Sequence, residues 1–81
     1  MTVSVVAFAR LRELLGFSQR SLALPDAATV DDAWDAIAAE LPAVRALRPS
    51  TRIACNGAIA AGDRALRDGD ELSLLPPAGG G

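Results

Sequence analysis

The chain ends Ala78-Gly79-Gly80-Gly81, and these glycines are the residues whose type and place suit a reaction. Gly81 offers a carboxylate with no side chain beside it, and Gly79 and Gly80 add none. Such a segment can thread a channel that any Cβ would block, through backbone conformations closed to other residues. A carboxylate is a poor electrophile until it is activated. As an acyl-adenylate it can accept sulfur and become a thiocarboxylate, whose sulfur is then a nucleophile that can be donated. The preceding Pro76-Pro77 pair favours an extended rod without internal hydrogen bonds. The four residues beyond it reach about 13–14 Å when fully extended. That is enough to carry Gly81 into another protein's active site while the body of the chain stays outside.

The rest of the composition agrees with chemistry supplied from elsewhere. The 81 residues include no histidine and no tyrosine, and one cysteine, Cys55. Histidine-based acid–base catalysis, a serine triad, His-ligated metals, a cysteine zinc site and an intrachain disulfide are excluded. No bound metal or permanent cofactor is expected. The net charge of −2, with Arg and acidic residues interspersed, lacks the basic stripe of a nucleic-acid footprint. No apolar run approaches the roughly 20 residues of a membrane span. The opening MTVSVVAFAR has no basic n-region of the kind that begins a signal peptide, so a cytoplasmic location is the default expectation. All eight basic residues are Arg, so an activated Gly81 would meet no lysine amine on its own chain.

A domain of this length has little room for both a core and a deep pocket, which favours function at a face, an edge or a terminus. TVSVVAF, residues 2–8, is β-branched and aromatic and predicts a strand, with Val3 and Val5 on one side and Val6 and Phe8 on the other. Leu11, Leu14 and Leu15 share a face of a short helix over 10–15 that Gly16 stops. A second strand is expected over 19–24. Thr29, with Asp32 three residues on, is a helix N-cap, and Val30, Trp34, Ile37 and Leu41 fall at helical spacing over 30–40. Pro42 ends that helix or starts a short turn through Val44 and Leu47, and Pro49-Ser50 begins a loop. Strands follow at 52–55 and 58–60 around Asn56-Gly57, a hairpin signal, and at 71–75 after Asp68-Gly69-Asp70. The economical burial of these elements is an α+β domain of the β-grasp type. It has a mixed four- to five-stranded sheet with one main helix packed on one face, spanning 1–77 and followed by a tail at 78–81.

Three segments together resemble the small subunit of molybdopterin synthase, a ubiquitin-like sulfur-carrier family. They are DGDELSLLPPAGGG at 68–81, FARLRELLG at 8–16 and CNG at 55–57. Gly79 stands where that family often has Ser, Thr, Ala or Val, and Cys55 where an aliphatic residue is usual; neither touches the final diglycine. The resemblance implies a cycle. An E1-like adenylating enzyme would activate Gly81 with ATP, and a sulfur donor protein would convert it to a thiocarboxylate. The large subunit of molybdopterin synthase would then take the tail and pass the sulfur to cyclic pyranopterin monophosphate. The chain would be a non-catalytic sulfur-donor subunit, its partner holding the catalytic side chains. Carriers for thiamine or cysteine synthesis, and ubiquitin-like modifiers joined to target lysines through Gly81, use the same adenylate chemistry and stay open as alternatives. A purely noncovalent interaction module is a further one.

The resemblance also implies docking through a hydrophobic sheet face. Phe8, Ile59, Leu74, Leu75, Pro76 and Pro77 are the candidates for it, with Arg10, Arg12 and Arg52 as a charged rim, although alternation alone leaves open which strand residues face the core. Cys55 reads as a small buried hydrophobe rather than a thiol relay. Asp68, Asp70 and Glu71 read as a turn rather than a Ca²⁺ site.

Overall fold

The computed structural model describes residues 1–76. Its elements are β1 (Thr2–Ala7), α1 (Ala9–Leu15), β2 (Gln19–Ala23), α2 (Val30–Glu40), a 3-10 helix (Pro42–Ser50), β3 (Arg52–Cys55), β4 (Ala58–Ile59) and β5 (Glu71–Leu75). The sheet order is β2-β1-β5-β3-β4. β1 and β5 run parallel at its centre and the other neighbours are antiparallel. This is the expected mixed β-grasp sheet, with five strands. Because the first and last strands are parallel neighbours, β5 leaves the sheet at the end where β1 gives way to Phe8.

Each element has a local cause. α2 begins in a reciprocal capping box: the Asp32 N–H donates to Thr29 Oγ1 at 3.2 Å and the Thr29 N–H to Asp32 Oδ2 at 2.9 Å. Two orphan helix donors are thereby satisfied. Its Val30, Ala33, Trp34, Ile37 and Ala38 are buried. They meet Val3, Val5, Leu22, Ile53, Cys55, Leu72 and Leu74 from the covered face of the sheet in one core. α1 stops at Gly16, whose φ of +78° is a left-handed conformation natural to glycine. Asn56 and Gly57, at φ of +52° and +87°, make the two-residue turn between β3 and β4. Two positive φ angles in succession are the type I′ geometry that matches strand twist.

The structure departs from the sequence expectation in modest ways. Pro49 and Ser50 belong to the 3-10 helix instead of opening a loop. Thr51 follows it as a buried C-cap whose hydroxyl donates to Leu47 O at 2.7 Å, which extends the helical path. β2 and β4 are each one residue shorter than expected. No helix among the described residues is long and apolar enough to cross a membrane.

Candidate functional site

β5 carries the C-terminal segment, and its start is fastened by the two turn motifs. The Asp68 carboxylate accepts the Thr2 N–H at 2.7 Å. Gly69, at φ +87°, donates its N–H to Thr2 O at 2.8 Å. Asp70 accepts from the Arg67 N–H at 2.8 Å and from Asn56 Nδ2 at 2.9 Å. Asn56 Oδ1 in turn accepts the Glu71 N–H at 2.9 Å, while the Asn56 N–H donates to Glu71 O at 2.8 Å. The Arg67 N–H, and after it the Asn56 amide, hold the Asp70 carboxyl below its ordinary pKa. The side chains of Asp68 and Asp70 are thus engaged in turn geometry. Among the described residues no three His, Cys, Asp or Glu side chains are grouped as metal ligands are.

At its other end β5 opens onto a sheet face that no helix covers. Register decides who lies there. Ser4 sits beside Glu71, Val6 beside Ser73, Ser73 beside Ala54, Ala54 beside Ile59, and Leu75 beside Arg52. Alternation places all of these on the face opposite the core. Ile59 is 60% exposed and Phe8, just past β1, is 45% exposed. Val6 and Leu75 are half-buried. They form an apolar patch around the exit of β5, with the exposed Arg52 beside it. Contiguous exposed apolar residues make this face a candidate surface for protein contact.

Leu74 does not belong to this patch. It is 1% exposed and packs in the core, because its register partners Ala7 and Ile53 point toward α2. Pro76 is half-buried and lines a cleft on the helix side, together with Arg10, Leu14 and Leu47. Pro77 and Gly79–Gly81 lie outside the described residues, and with them the boundary between domain and tail. Val6 is a patch member that sequence reasoning passed over; its position follows only once β5 is known to lie beside β1. Cys55 is 1% exposed. Burial, and then the nearby Asp70 carboxylate, push its thiol pKa up. Little thiolate forms at neutral pH on such a group, which suits a core residue and not a relay.

The geometry therefore consists of a firmly seated central strand and an apolar face around its exit. Comparisons with known proteins bear on that arrangement. The chain is 34% identical over its whole length to the molybdopterin synthase sulfur carrier subunit of Chlamydomonas reinhardtii, all of which is covered. It is 29% identical to the subunit of the same name from Arabidopsis thaliana, covering 98% of this chain and 82% of that one. Among solved structures, SAMP1 from Haloferax volcanii superposes with a TM-score of 0.88 at 32% identity, both chains covered completely. A complex of subunits 1 and 2 of the molybdopterin-converting factor from Helicobacter pylori contains a chain that matches with a TM-score of 0.70 at 26% identity, again over the full length of both. The sequence profile of the ThiS family matches residues 5–81, and the chain belongs to that family.

Proposed function

We propose that this protein is the sulfur carrier of molybdopterin synthase, working through the carboxylate of Gly81. An E1-like adenylating enzyme joins that carboxylate to the α-phosphate of ATP and releases pyrophosphate. A donor protein's sulfur, delivered at the oxidation level of sulfide, displaces AMP and leaves a thiocarboxylate. In the large subunit this sulfur attacks a side-chain carbon of cyclic pyranopterin monophosphate, forming a C–S bond as a C–O bond at that carbon breaks and its oxygen leaves. Hydrolysis of the acyl–sulfur bond then leaves the sulfur on the pterin and returns the carboxylate to Gly81. The observation that carries the reading is the exit of β5. The strand is paired on both sides, ends at Leu75 beside an exposed apolar face, and leads through two prolines and an alanine to three glycines. The two carrier-subunit relatives and the Helicobacter pylori complex support it.

The work of the described residues is mechanical and selective. The turn at Asp68–Asp70 and Asn56 fix the strand that bears the tail. The patch of Phe8, Ile59, Val6 and Leu75 supplies the apolar area that holds the body of the domain against the partner. The chain has no histidine or tyrosine, and in this reading the acid–base steps belong to the partner. The test is a single-turnover transfer: thiocarboxylated protein, the large subunit and cyclic pyranopterin monophosphate, with the pterin product followed by mass. Sulfur incorporation supports the reading. Its absence, with the thiocarboxylate intact, points to another acceptor.

A second reading is favoured by the likeness to SAMP1, a small archaeal modifier protein. In it the Gly81 adenylate, or a thioester made from it, is attacked by a lysine amine of another protein. Conjugates of this chain on cellular proteins, found by mass spectrometry of tagged material, would support that reading; a conjugate-free proteome would leave the carrier alone.

A further inference from the structure

The carrier reading uses the open sheet face on one side of the exit of β5. On the other side, between α1 and the 3-10 helix, Pro76 forms one wall of a second concavity of about 150 Å³, with Leu14, Leu47 and Arg10 around it. A volume of this order holds a benzene-sized guest. Leu14 is 44% exposed although it belongs to the apolar stripe of α1. The hydroxyls of Ser50 and Thr51, which also line the cleft, both donate to Leu47 O, at 3.1 and 2.7 Å. Their polarity is satisfied within the 3-10 helix, so the cleft presents apolar surface. Its one charged wall is Arg10, which is exposed and has no ion-pair partner among the described residues; Arg20 and Arg48, by contrast, are paired with Glu40 and Asp31.

The reach of the tail makes this cleft a contact. The five residues after Pro76 span at most about 17 Å. A protein that takes them up cannot stand off from the domain, so it must approach the surface around Pro76 closely. Alternation puts Leu75 on the open face and Pro76 on the helix side. The two apolar surfaces are therefore continuous through the root of the tail.

We infer that the Arg10–Leu14–Leu47–Pro76 cleft is a second docking site for the protein that takes up the tail. It receives an apolar side chain from the rim of that protein's channel, with a carboxylate beside it facing Arg10. This rests on the carrier reading, and the occupant it commits to is the large subunit of molybdopterin synthase. The cleft adds directional information that the open face lacks. A patch on one side can seat a partner over a range of tilts, whereas a side chain lodged on the far side of the tail root fixes the angle at which the tail enters.

The test is calorimetric titration of the full chain with that large subunit, comparing wild type, Leu14→Asp and Arg10→Glu. Both positions are exposed on a surface helix, and melting curves verify that the variants fold; Leu14→Ala, which keeps helix propensity, serves if Leu14→Asp lowers the melting temperature. The expected result is a Kd raised at least roughly tenfold by Leu14→Asp, since an apolar contact is replaced by a desolvated charge. Arg10→Glu raises Kd and also reduces its dependence on salt, because a screened ion pair has been removed. The inference is overturned if wild type binds and both variants stay within about twofold of it. If wild type itself does not bind, the reading of this acceptor fails and the inference falls with it. The two failures are told apart by the wild-type titration alone.

Discussion

Replacing Asn56 tests the idea that its amide helps to fasten the start of the tail-bearing strand. Asn56 does two separable things. Its side chain accepts the Glu71 N–H and donates to Asp70, both at 2.9 Å. Its backbone sits at φ +52°, a left-handed conformation that costs Asn less than it costs Ala. A net side-chain hydrogen bond contributes about 0.5–1.5 kcal/mol, and the site is exposed, so the two bonds together are set at about 1–2 kcal/mol. Left-handed backbone at a residue with an ordinary Cβ costs about 1 kcal/mol more. Asn56→Ala is therefore expected to lose about 2–3 kcal/mol, which for a domain of this size lowers Tm by roughly 10–20 °C. Asn56→Gly keeps the conformation and loses only the amide, so it should fall between wild type and Asn56→Ala. Urea unfolding followed by circular dichroism measures all three. If Asn56→Ala lies within about 0.5 kcal/mol of wild type, the range of an inert surface change, the latch does not hold β5. If Asn56→Gly is as damaging as Asn56→Ala, the backbone half of the argument is wrong.

Other consequences can be checked with the same material. Ile59→Asp, on an exposed side chain of the open face, should leave unfolding within about 0.5 kcal/mol of wild type while greatly weakening capture by the large subunit; equal binding would remove the open face from the interface. Ile37→Ala cuts a 1%-exposed side chain from the centre of α2 and should cost about 2–5 kcal/mol in the same urea assay. Asp70 has a folded pKa held below its ordinary value by the Arg67 N–H and Asn56. The stability it contributes is full above the ordinary carboxyl value of 3.8 and is lost as pH falls through the lower folded value. Asp70→Asn should therefore flatten the acid limb of a stability–pH curve below that point, and an unchanged limb would show that Asp70 is not a source of acid sensitivity.

Much of the architecture can be read locally. Thr29 and Asp32 announce the start of α2, and the 3.6-residue spacing of Val30, Trp34 and Ile37 gives it a buried face. Asn56-Gly57 and Asp68-Gly69-Asp70 mark turns that only a few residue types can make, and Pro76 stops β5. These signals act over four or five residues, so a linear reading finds them. Face assignment is different in kind. Leu74 and Leu75 are neighbours with the same side chain, yet one is buried against α2 and the other lies on the open face. Alternation separates the two sets without saying which is covered. That answer depends on β5 entering the sheet between β1 and β3, a pairing made across dozens of residues. The cleft at Pro76 was hidden for the same reason, since its walls come from α1, the 3-10 helix and the end of β5. Gly81 can be singled out from the sequence alone, because the chemistry proposed for it depends on the absence of a side chain and not on a neighbourhood.

The central claim is that Gly81 accepts sulfur. Its most direct test is the intact mass of the protein after incubation with an E1-like adenylating enzyme, ATP and a sulfur donor, beside a variant lacking Gly81. Wild type alone should gain the mass difference of one oxygen replaced by sulfur, and the gain should require ATP. No gain with an adenylating enzyme that is active on its own carrier, or an equal gain in the variant, would contradict that claim.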